Sequence, residues 1–223
     1  MAVYDHEEQE QLDVLKAWWR DHGNKVINLA LAAALVAAAV SGWKWWQDRQ
    51  SQGAGALYGQ LQAAVEKQDV KAVRDSAVEL ADKFDGTVYA GMGALLAARV
   101  QMDAGDVKNA KAQLAWAAEK ASDPALRDLA RLRLAGVLLD DKAYDEALQQ
   151  VSKESEPGFA ARFAELKGDI YAAQGKKAEA REAYQAAIAK LDGKPGSETP
   201  DAQREARYRE LMQIKLESMG GKA

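Results

Sequence analysis

The sequence predicts an all-α protein with a single N-terminal transmembrane helix followed by a tetratricopeptide-like α-solenoid. Eighteen consecutive residues near the N-terminus carry no charge, which is long enough for a membrane span. All four prolines fall between helical patterns, and no sustained alternation of apolar and polar residues indicates a strand. After the apolar run, a sequence pattern recurs at intervals of 37 and 33 residues, close to the tetratricopeptide period of about 34.

The composition excludes several classes of function. The 223 residues include 34 acidic and 30 basic side chains, interspersed along the chain, so no basic footprint for nucleic acid exists. Cysteine is absent, and the only two histidines are His6 and His22. The rest of the chain therefore offers neither an imidazole base nor a thiolate or imidazole metal ligand. We expect no enzymatic activity, no metal, no cofactor and no small-molecule substrate.

Residues 1–25 are predicted to form an amphipathic segment before the span. Gly23 is a typical residue for the C-terminal end of such a helix. The polar face is acidic, which is unfavourable for binding anionic lipid, so lipid contact and contact with a protein partner both remain open. The apolar side of the segment consists of Leu12, Leu15, Trp18 and Trp19.

Residues 26–46 are predicted to form an uncleaved transmembrane signal-anchor helix. The uncharged run Val26–Trp43 would cover about 27 Å as a helix, close to the thickness of the hydrocarbon layer. One alternative is a buried, alanine-rich helix of a soluble bundle, but such a helix rarely lacks charge on every face. The other is a cleaved signal peptide, which fits poorly with an acidic leader and with the cluster of Trp43, Trp45 and Trp46.

The basic residues near the span indicate its orientation. Lys16, Arg20 and Lys25 precede it, whereas Lys44 and Arg49 follow it. The positive-inside rule therefore favours a cytoplasmic N-terminus. The C-terminal domain would then lie in the periplasm of a cell with two membranes, anchored in the inner membrane.

The remainder of the chain is predicted to be a tether and a helical repeat array. Residues 47–56 are rich in Gln, Ser and Gly and are expected to form the tether. Residues 57–200 are expected to hold the repeats, and residues 201–223 a capping helix and tail. Separate repeats cannot bury their own apolar faces, so they stack. A bundle of long helices with accidental similarity is the alternative.

Three observations support the repeats. The segment Gln68–Phe84 matches Gly105–Ala121 at an offset of 37 residues and shares an Asp-Val-Lys motif. Small residues recur where the two helices of a repeat would cross closely, at Ala110, Ala147 and Ala180. The last copy is nearest the tetratricopeptide consensus, through residues Leu166, Gly168, Tyr171, Gly175, Ala180, Tyr184 and Ala187.

The last repeat also sets the register of an inner face that can be projected onto the earlier repeats. This face is apolar at one end and charged at the other. Because methionine adapts to varied partners and exposed apolar strips mark protein-binding surfaces, we predict a partner-binding groove. The alternative is that some of these side chains are core, or are covered by the terminal helix. The projected residues are Met92, Leu95, Arg99, Met102, Leu129, Leu132, Leu139, Arg162, Glu165 and Asp169.

Two aromatic motifs flank the span and give the chain a family resemblance. The segment EEQEQLDVLKAWWRDHGN, which contains Trp18 and Trp19, precedes the span, and GWKWWQ, which contains Trp43 and Trp46, follows it. Together with the acidic start, the single span and the divergent repeats, they resemble the YfgM-like ancillary subunits of the bacterial Sec translocon. The interval 191–200 is longer than this resemblance leads us to expect.

The resemblance implies an inner-membrane protein with a periplasmic repeat domain that associates with SecYEG. It also implies partnership with a PpiD-like periplasmic chaperone and a role in modulating an envelope-stress regulator. The first functional hypothesis is therefore a non-catalytic accessory subunit of the protein-export translocon, linked to periplasmic chaperones. The second is a membrane-anchored tetratricopeptide adaptor for another envelope assembly or stress-signalling complex, because the repeats alone do not fix the partner.

Overall fold

The computed structural model describes residues 6–153, 155–191 and 200–220. Within these ranges the chain forms helices and turns without a strand, which confirms the all-α prediction. The helices are α1 (His6–Glu66), α2 (Val70–Lys83), α3 (Val88–Asp103), α4 (Val107–Lys120), α5 (Pro124–Asp140), α6 (Tyr144–Val151), a 3-10 turn (Pro157–Phe159), α7 (Ala160–Ala173), α8 (Lys177–Ala189) and α9 (Pro200–Ser218). Most of the interval 191–200 lies outside the described residues.

The chain divides into two units, Met1–Gln50 and Ser51–Ala223. The first unit, as far as it is described, consists of the N-terminal part of α1. This helix contains the one segment of the described chain that is long and apolar enough to cross a membrane, and none of that segment is buried by protein. Large apolar side chains such as Leu29 and Leu35 are exposed on it. The candidate membrane span predicted from the sequence is therefore confirmed.

Two predicted interruptions of α1 are wrong, because the helix is continuous from His6 to Glu66. Gly23 does not end it: the Trp19 ring covers this glycine, so that an added Cβ would lie 3.2 Å from the indole nitrogen. Residues 47–56, predicted as a tether, are also helical. Gly53 is small because a Cβ there would lie 2.9 Å from the Phe84 ring. In both places a packing requirement, and not a break in the helix, explains the glycine.

The second unit contains four helix pairs, each of which we call a repeat. Repeat 1 consists of the C-terminal end of α1 and α2, repeat 2 of α3 and α4, repeat 3 of α5 and α6, and repeat 4 of α7 and α8. The C-terminal end of α1 shares a core cluster with α2, and from α2 onward successive helices pack on one another. The first helices of neighbouring repeats also meet, as α3 with α5 and α5 with α7. This is the stacking expected of a solenoid.

The same turn joins the two helices of all four repeats. One residue of each turn has a left-handed backbone, with φ between 57° and 79°, and two turn amides donate to carbonyls of the preceding helix. This Schellman arrangement satisfies carbonyls that the end of the helix would otherwise leave free. The left-handed residues, spaced by 37, 37 and 33 positions as predicted, are Gln68, Gly105, Lys142 and Gly175.

The shared Asp-Val-Lys motif starts the second helix of repeats 1 and 2. The Asp69 carboxylate accepts a hydrogen bond from the amide of Ala72 at 2.9 Å, and the Asp106 carboxylate accepts one from the amide of Asn109 at 3.2 Å. Each aspartate thereby caps its helix. The sequence match at an offset of 37 residues is therefore a repeated capping device.

Small residues allow the helices of each repeat to approach closely. Ala110, Ala147 and Ala180 are completely buried, each in the second helix of its repeat. At Gly168, an added Cβ would lie 2.5 Å from the ring of Tyr184 on the partner helix. The consensus residues of repeat 4 therefore have the packing role that the sequence predicted for them.

We expect Lys142→Gly to stabilise the chain. A left-handed backbone costs a residue with a Cβ about 1–2 kcal/mol, and each kcal/mol shifts the unfolding midpoint of a chain this size by about 2–4 °C. Thermal unfolding of the full chain in detergent should therefore show a higher midpoint, whereas Gly105→Ala should lower it. Lys142→Ala keeps the Cβ and serves as the control. A gain of equal size in that control would contradict the explanation.

Candidate partner-binding surfaces

The aromatic residues before the span are exposed in the first unit. About half the surface of Trp18 and of Trp19 is accessible. The Trp18 ring stacks on His22, one turn later, with ring centroids 5.4 Å apart and an angle of 10° between the planes. Leu12 and Leu15 are also exposed. These side chains form an apolar stripe that the described residues leave uncovered.

A second aromatic group lies at the other end of the span. Trp43 and Trp46 are exposed, and their ring centroids lie 5.3 Å apart. The guanidinium of Arg49 lies over the ring of Trp45, 5.1 Å from its centroid. Indole rings beside a cation are typical of the membrane–water interface, where one part of the side chain is apolar and the other meets water.

The predicted groove residues of α3 and α5 differ in exposure. Arg99 is exposed, and only a long ion pair of 3.9 Å joins it to Asp103. Met92 is half-buried. Half-buried side chains that lean on the main core cluster, and keep part of their surface accessible, are those of Met102, Leu129, Leu132 and Leu139.

Leu95 is a correction to the predicted groove. Only 5% of its surface is accessible, and it belongs to the main core cluster together with Ala98 and Leu134. Because α3 and α5 contact each other, a side chain at this register is enclosed between the two helices. Leu95 is therefore a core residue and not a partner contact.

Glu165 is the second correction, since α9 covers it. Its side chain is 11% accessible and accepts hydrogen bonds from the Tyr208 hydroxyl and, at 2.9 Å, from the Lys215 ammonium. Arg162 pairs with the same carboxylate at 3.1 Å, and its guanidinium lies 4.0 Å from the Tyr208 ring centroid. Arg162 itself stays exposed, but Glu165 has no free oxygen to offer a partner.

Asp169 extends this cluster, which we call the cap network. The Lys215 ammonium donates to both of its carboxylate oxygens at 2.8 Å, and the Tyr184 hydroxyl donates to one of them at 2.8 Å. Met212 and Leu216 of α9 are buried beside Tyr184. The terminal helix is thus held to repeat 4 by an apolar seam and a charged network.

The network fixes the charge states of its members. Burial opposes ionisation of Glu165, but the hydrogen bonds from Tyr208 and Lys215 outweigh it and hold the pKa of this carboxyl below its usual range. Burial likewise opposes the charged form of Lys215, yet Asp169 and Glu165 raise its pKa. Burial, followed by the hydrogen bond to Glu165, raises the pKa of Tyr208. All of these groups therefore keep their ordinary charge at neutral pH.

Sequence reasoning did not identify Tyr208 or Lys215. The signal in the sequence was opposite charge. Glu165 and Asp169 lie one turn apart on the same face of α7, and Lys215 is the one lysine of α9. Their separations of 43 to 50 residues hide the pairing in the sequence. In the part of the chain that the structure describes, no group of three His, Cys, Asp or Glu side chains could hold a metal ion.

The chain is similar to a family model and to named proteins over most of its length. The family model for a tetratricopeptide repeat-like domain matches residues 16–221. A Neisseria gonorrhoeae protein named ancillary SecYEG translocon subunit is 32% identical over 96% of this chain and 97% of its own length. Proteins of the same name from Haemophilus influenzae and Escherichia coli K12 are 30% and 28% identical, over 83% and 98% of this chain and 90% and 99% of their own lengths.

The cap network should make the stability of α9 depend on pH. The lowered pKa of Glu165 stabilises the fold above the ordinary carboxyl pKa of 4.5, and this contribution disappears as the pH falls through the folded value. The raised pKa of Lys215 stabilises the fold up to its ordinary value of 10.5, and this contribution is lost at higher pH. We therefore expect stability to fall on both sides of this window.

Glu165→Gln tests the acid side. It should lower the thermal midpoint at pH 7 by several degrees, since a charge-assisted hydrogen bond contributes about 1.5–3 kcal/mol. At pH 3 the gap between variant and parent should shrink. Glu210→Gln, at an exposed glutamate in the middle of α9, is the control and should change neither midpoint. An undiminished gap at pH 3 would contradict the role of the Glu165 charge.

Proposed function

The chain belongs to the family of ancillary SecYEG translocon subunits, and we propose that it is a non-catalytic accessory subunit that links this translocon to periplasmic chaperones. The observation that carries the proposal is similarity to the named relatives over 96% and 98% of the chain, an extent that takes in the sequence on both sides of the span. A match confined to the repeats would fit many scaffold proteins. A solenoid with exposed apolar side chains supports binding as its activity.

The proposed topology has a cytoplasmic N-terminus and a periplasmic repeat domain in the inner membrane. It rests on the bias of three basic residues before the span against two after it. The boundaries of the span, 26–46, and of the leader, 1–25, remain part of the proposal, as do those of the repeats, 57–200, and the cap, 201–223.

The continuity of α1 bears on what the leader contacts. Trp18 precedes Val26 by eight residues, about 12 Å along a helix, whereas the headgroup layer adds roughly 5–8 Å to the hydrocarbon. Leu12 lies six residues farther out. A helix that does not break at Gly23 therefore carries these apolar side chains beyond the lipid. This favours a protein partner, and we propose that Trp18 and Trp19, with Trp43 and Trp46 at the other interface, contact the translocon.

The repeat face is proposed as the chaperone-binding surface. After the removal of Leu95 and Glu165, the accessible part of the predicted groove runs along α3 and α5. It combines adaptable methionine and leucine side chains with an exposed arginine. With Asp169 also paired inside the cap network, the residues that remain are Met92, Arg99, Met102, Leu129, Leu132, Leu139 and the exposed Arg162, which pairs with Glu165.

The two surfaces should be separable by mutation. Trp18→Ala with Trp19→Ala should reduce co-purification of the full chain with SecYEG in mild detergent at least about tenfold, because buried aromatic anchors contribute most to binding. Met92→Ser with Arg99→Glu should reduce binding of a purified PpiD-like chaperone and leave SecYEG binding unchanged. Val78→Ser, at an exposed valine of α2, should change neither. Co-purification with a different envelope complex instead of SecYEG would favour the adaptor hypothesis.

Topology is tested by reporter fusions. A reporter that is active only outside the cytoplasm should work when fused after Ala223 and fail when fused before Met1, because the basic bias places the N-terminus inside. Protease added to spheroplasts should accordingly degrade the repeat domain. The reverse pattern of reporter activity would overturn the proposed localisation.

A further inference from the structure

A groove of about 820 Å³ runs along repeat 4, on the side away from the cap network. Its floor is apolar and made of small side chains around one ring. Ala160, Phe163 and Ala164 come from α7, and Ala183 and Ala186 come from α8. Phe163 is buried, but Ala186 is exposed.

The first cause of the groove is the length of α6. This helix has 8 residues, whereas the second helices of repeats 1 and 2 have 14 each. The chain leaves the helix at Ser152 and reaches Pro157 before the next turn. The place beside α8 that nearly two further turns of α6 would fill is therefore open.

The second cause is a change of residue at equivalent positions. The left-handed turn residues Gly105 and Gly175 align repeats 2 and 4 at an offset of 70. At this offset Gln113 and Trp116 of α4 correspond to Ala183 and Ala186 of α8. The Trp116 side chain packs against both neighbouring core clusters, so in repeat 2 a ring fills the equivalent place.

Repeat 2 also shows what kind of structure covers this face. The core cluster that Trp116 joins on one side includes Val73, Ala77 and Leu80, which form the buried stripe of α2. This cluster also takes Leu57 and Leu61 from α1 and Ala90 and Ala97 from α3, so the ring of repeat 2 is packed among the apolar faces of helices. In repeat 4 the equivalent residue is an alanine, and the preceding second helix, α6, is shorter.

Charge gives the groove a direction. Because a three-residue turn joins α7 to α8, the N-terminal end of α8, with Glu179 and Glu182, lies at the turn. Lys190 lies at the opposite end of α8, Lys153 lines the groove ahead of α7, and Lys167 lies midway along α7. A helix dipole is favoured with its N-terminus near carboxylates and its C-terminus near ammonium groups. The preferred occupant therefore runs parallel to α8.

We propose that this groove binds one amphipathic helix of a partner protein, which inserts a large apolar side chain over Ala183 and Ala186. The occupant runs with its N-terminal half, basic in charge, along Glu179 and Glu182. Its acidic C-terminal half lies near Lys153 and Lys190. The site is distinct from the inner face of α3 and α5, and it rests on the proposed function only for the identity of the partner.

A peptide from this chain serves as the probe. The α2 segment Val70–Phe84 has a net positive first half, with Lys71 and Arg74 against Asp75, and a net negative second half, with Glu79 and Asp82 against Lys83, which matches the direction of the groove. The change Ala77→Trp gives the peptide an indole ring, which would take the place that Trp116 fills in repeat 2 and that Ala186 leaves open in repeat 4. Fluorescence anisotropy of the labelled peptide against the full chain in detergent should show saturable binding, and a scrambled peptide should not bind. No saturable binding below about 1 mM overturns the proposal.

Ala186→Trp is the decisive variant, because it returns the ring of repeat 2 to the groove. It should weaken peptide binding at least about tenfold while the thermal midpoint stays equal or rises, since Ala186 is exposed and the space is empty. Ala189→Trp places the same ring on α8 outside the groove lining and should leave binding unchanged. Equal loss with both variants, or with neither, overturns the proposal.

A second experiment measures binding of the full chain to purified SecYEG and to a purified PpiD-like chaperone. If Ala186→Trp weakens binding of the full chain to either protein and Ala189→Trp does not, that protein supplies the helix. If the parent chain binds neither protein, the proposed function is wrong. The peptide measurement still shows whether the groove binds an amphipathic helix. If the parent binds both and Ala186→Trp changes neither, the groove is not the site of these partners and the proposal is overturned.

Discussion

The constraint on which the structure depends is that no repeat can bury its own apolar face. Each helix pair inside the array is completed by the pair before it and the pair after it, so the two terminal pairs need another solution. At the first end repeat 1 packs through its own two helices, with Ala54, Leu57 and Leu61 of α1 in one core cluster with the buried residues of α2. At the last end α9 covers repeat 4, through Met212 and Leu216.

Different interactions cover the first and the last repeat of the array. At the first end the contact is apolar, and Gly53 lets the helix approach the Phe84 ring. At the last end a helix of largely polar composition must be held in register, and the cap network does this with Lys215 between Glu165 and Asp169. A half-buried charge network is stable only when every member is paired. This explains why the charged end of the predicted inner face faces α9 and not a partner.

The sequence predicted those features that depend on local geometry. The turn spacing, the small residues at helix crossings and the uncharged span each follow from a backbone or solvation requirement that few residue types meet. The errors concern features that depend on distant packing. Gly23 and the segment 47–56 contain typical breakers, but whether a helix breaks depends on what covers it. Leu95 and Glu165 had the right register, yet their burial depends on α5 and α9, whose approach the register does not specify.

The repeats differ at positions that the packing of a repeat does not constrain. The left-handed turn residue recurs in all four copies, and the position five residues later is fully buried in each, as Val73 in repeat 1 and as alanine in repeats 2 to 4, because the helices of a repeat pair there. Trp116 of repeat 2 packs against two core clusters, whereas the equivalent Ala186 of repeat 4 is exposed and lines the groove that the end of α6 borders. Where α6 is short, the position is free to serve another contact. A departure from the repeat pattern at an exposed, unconstrained position is therefore more informative about binding than a position that every repeat must keep.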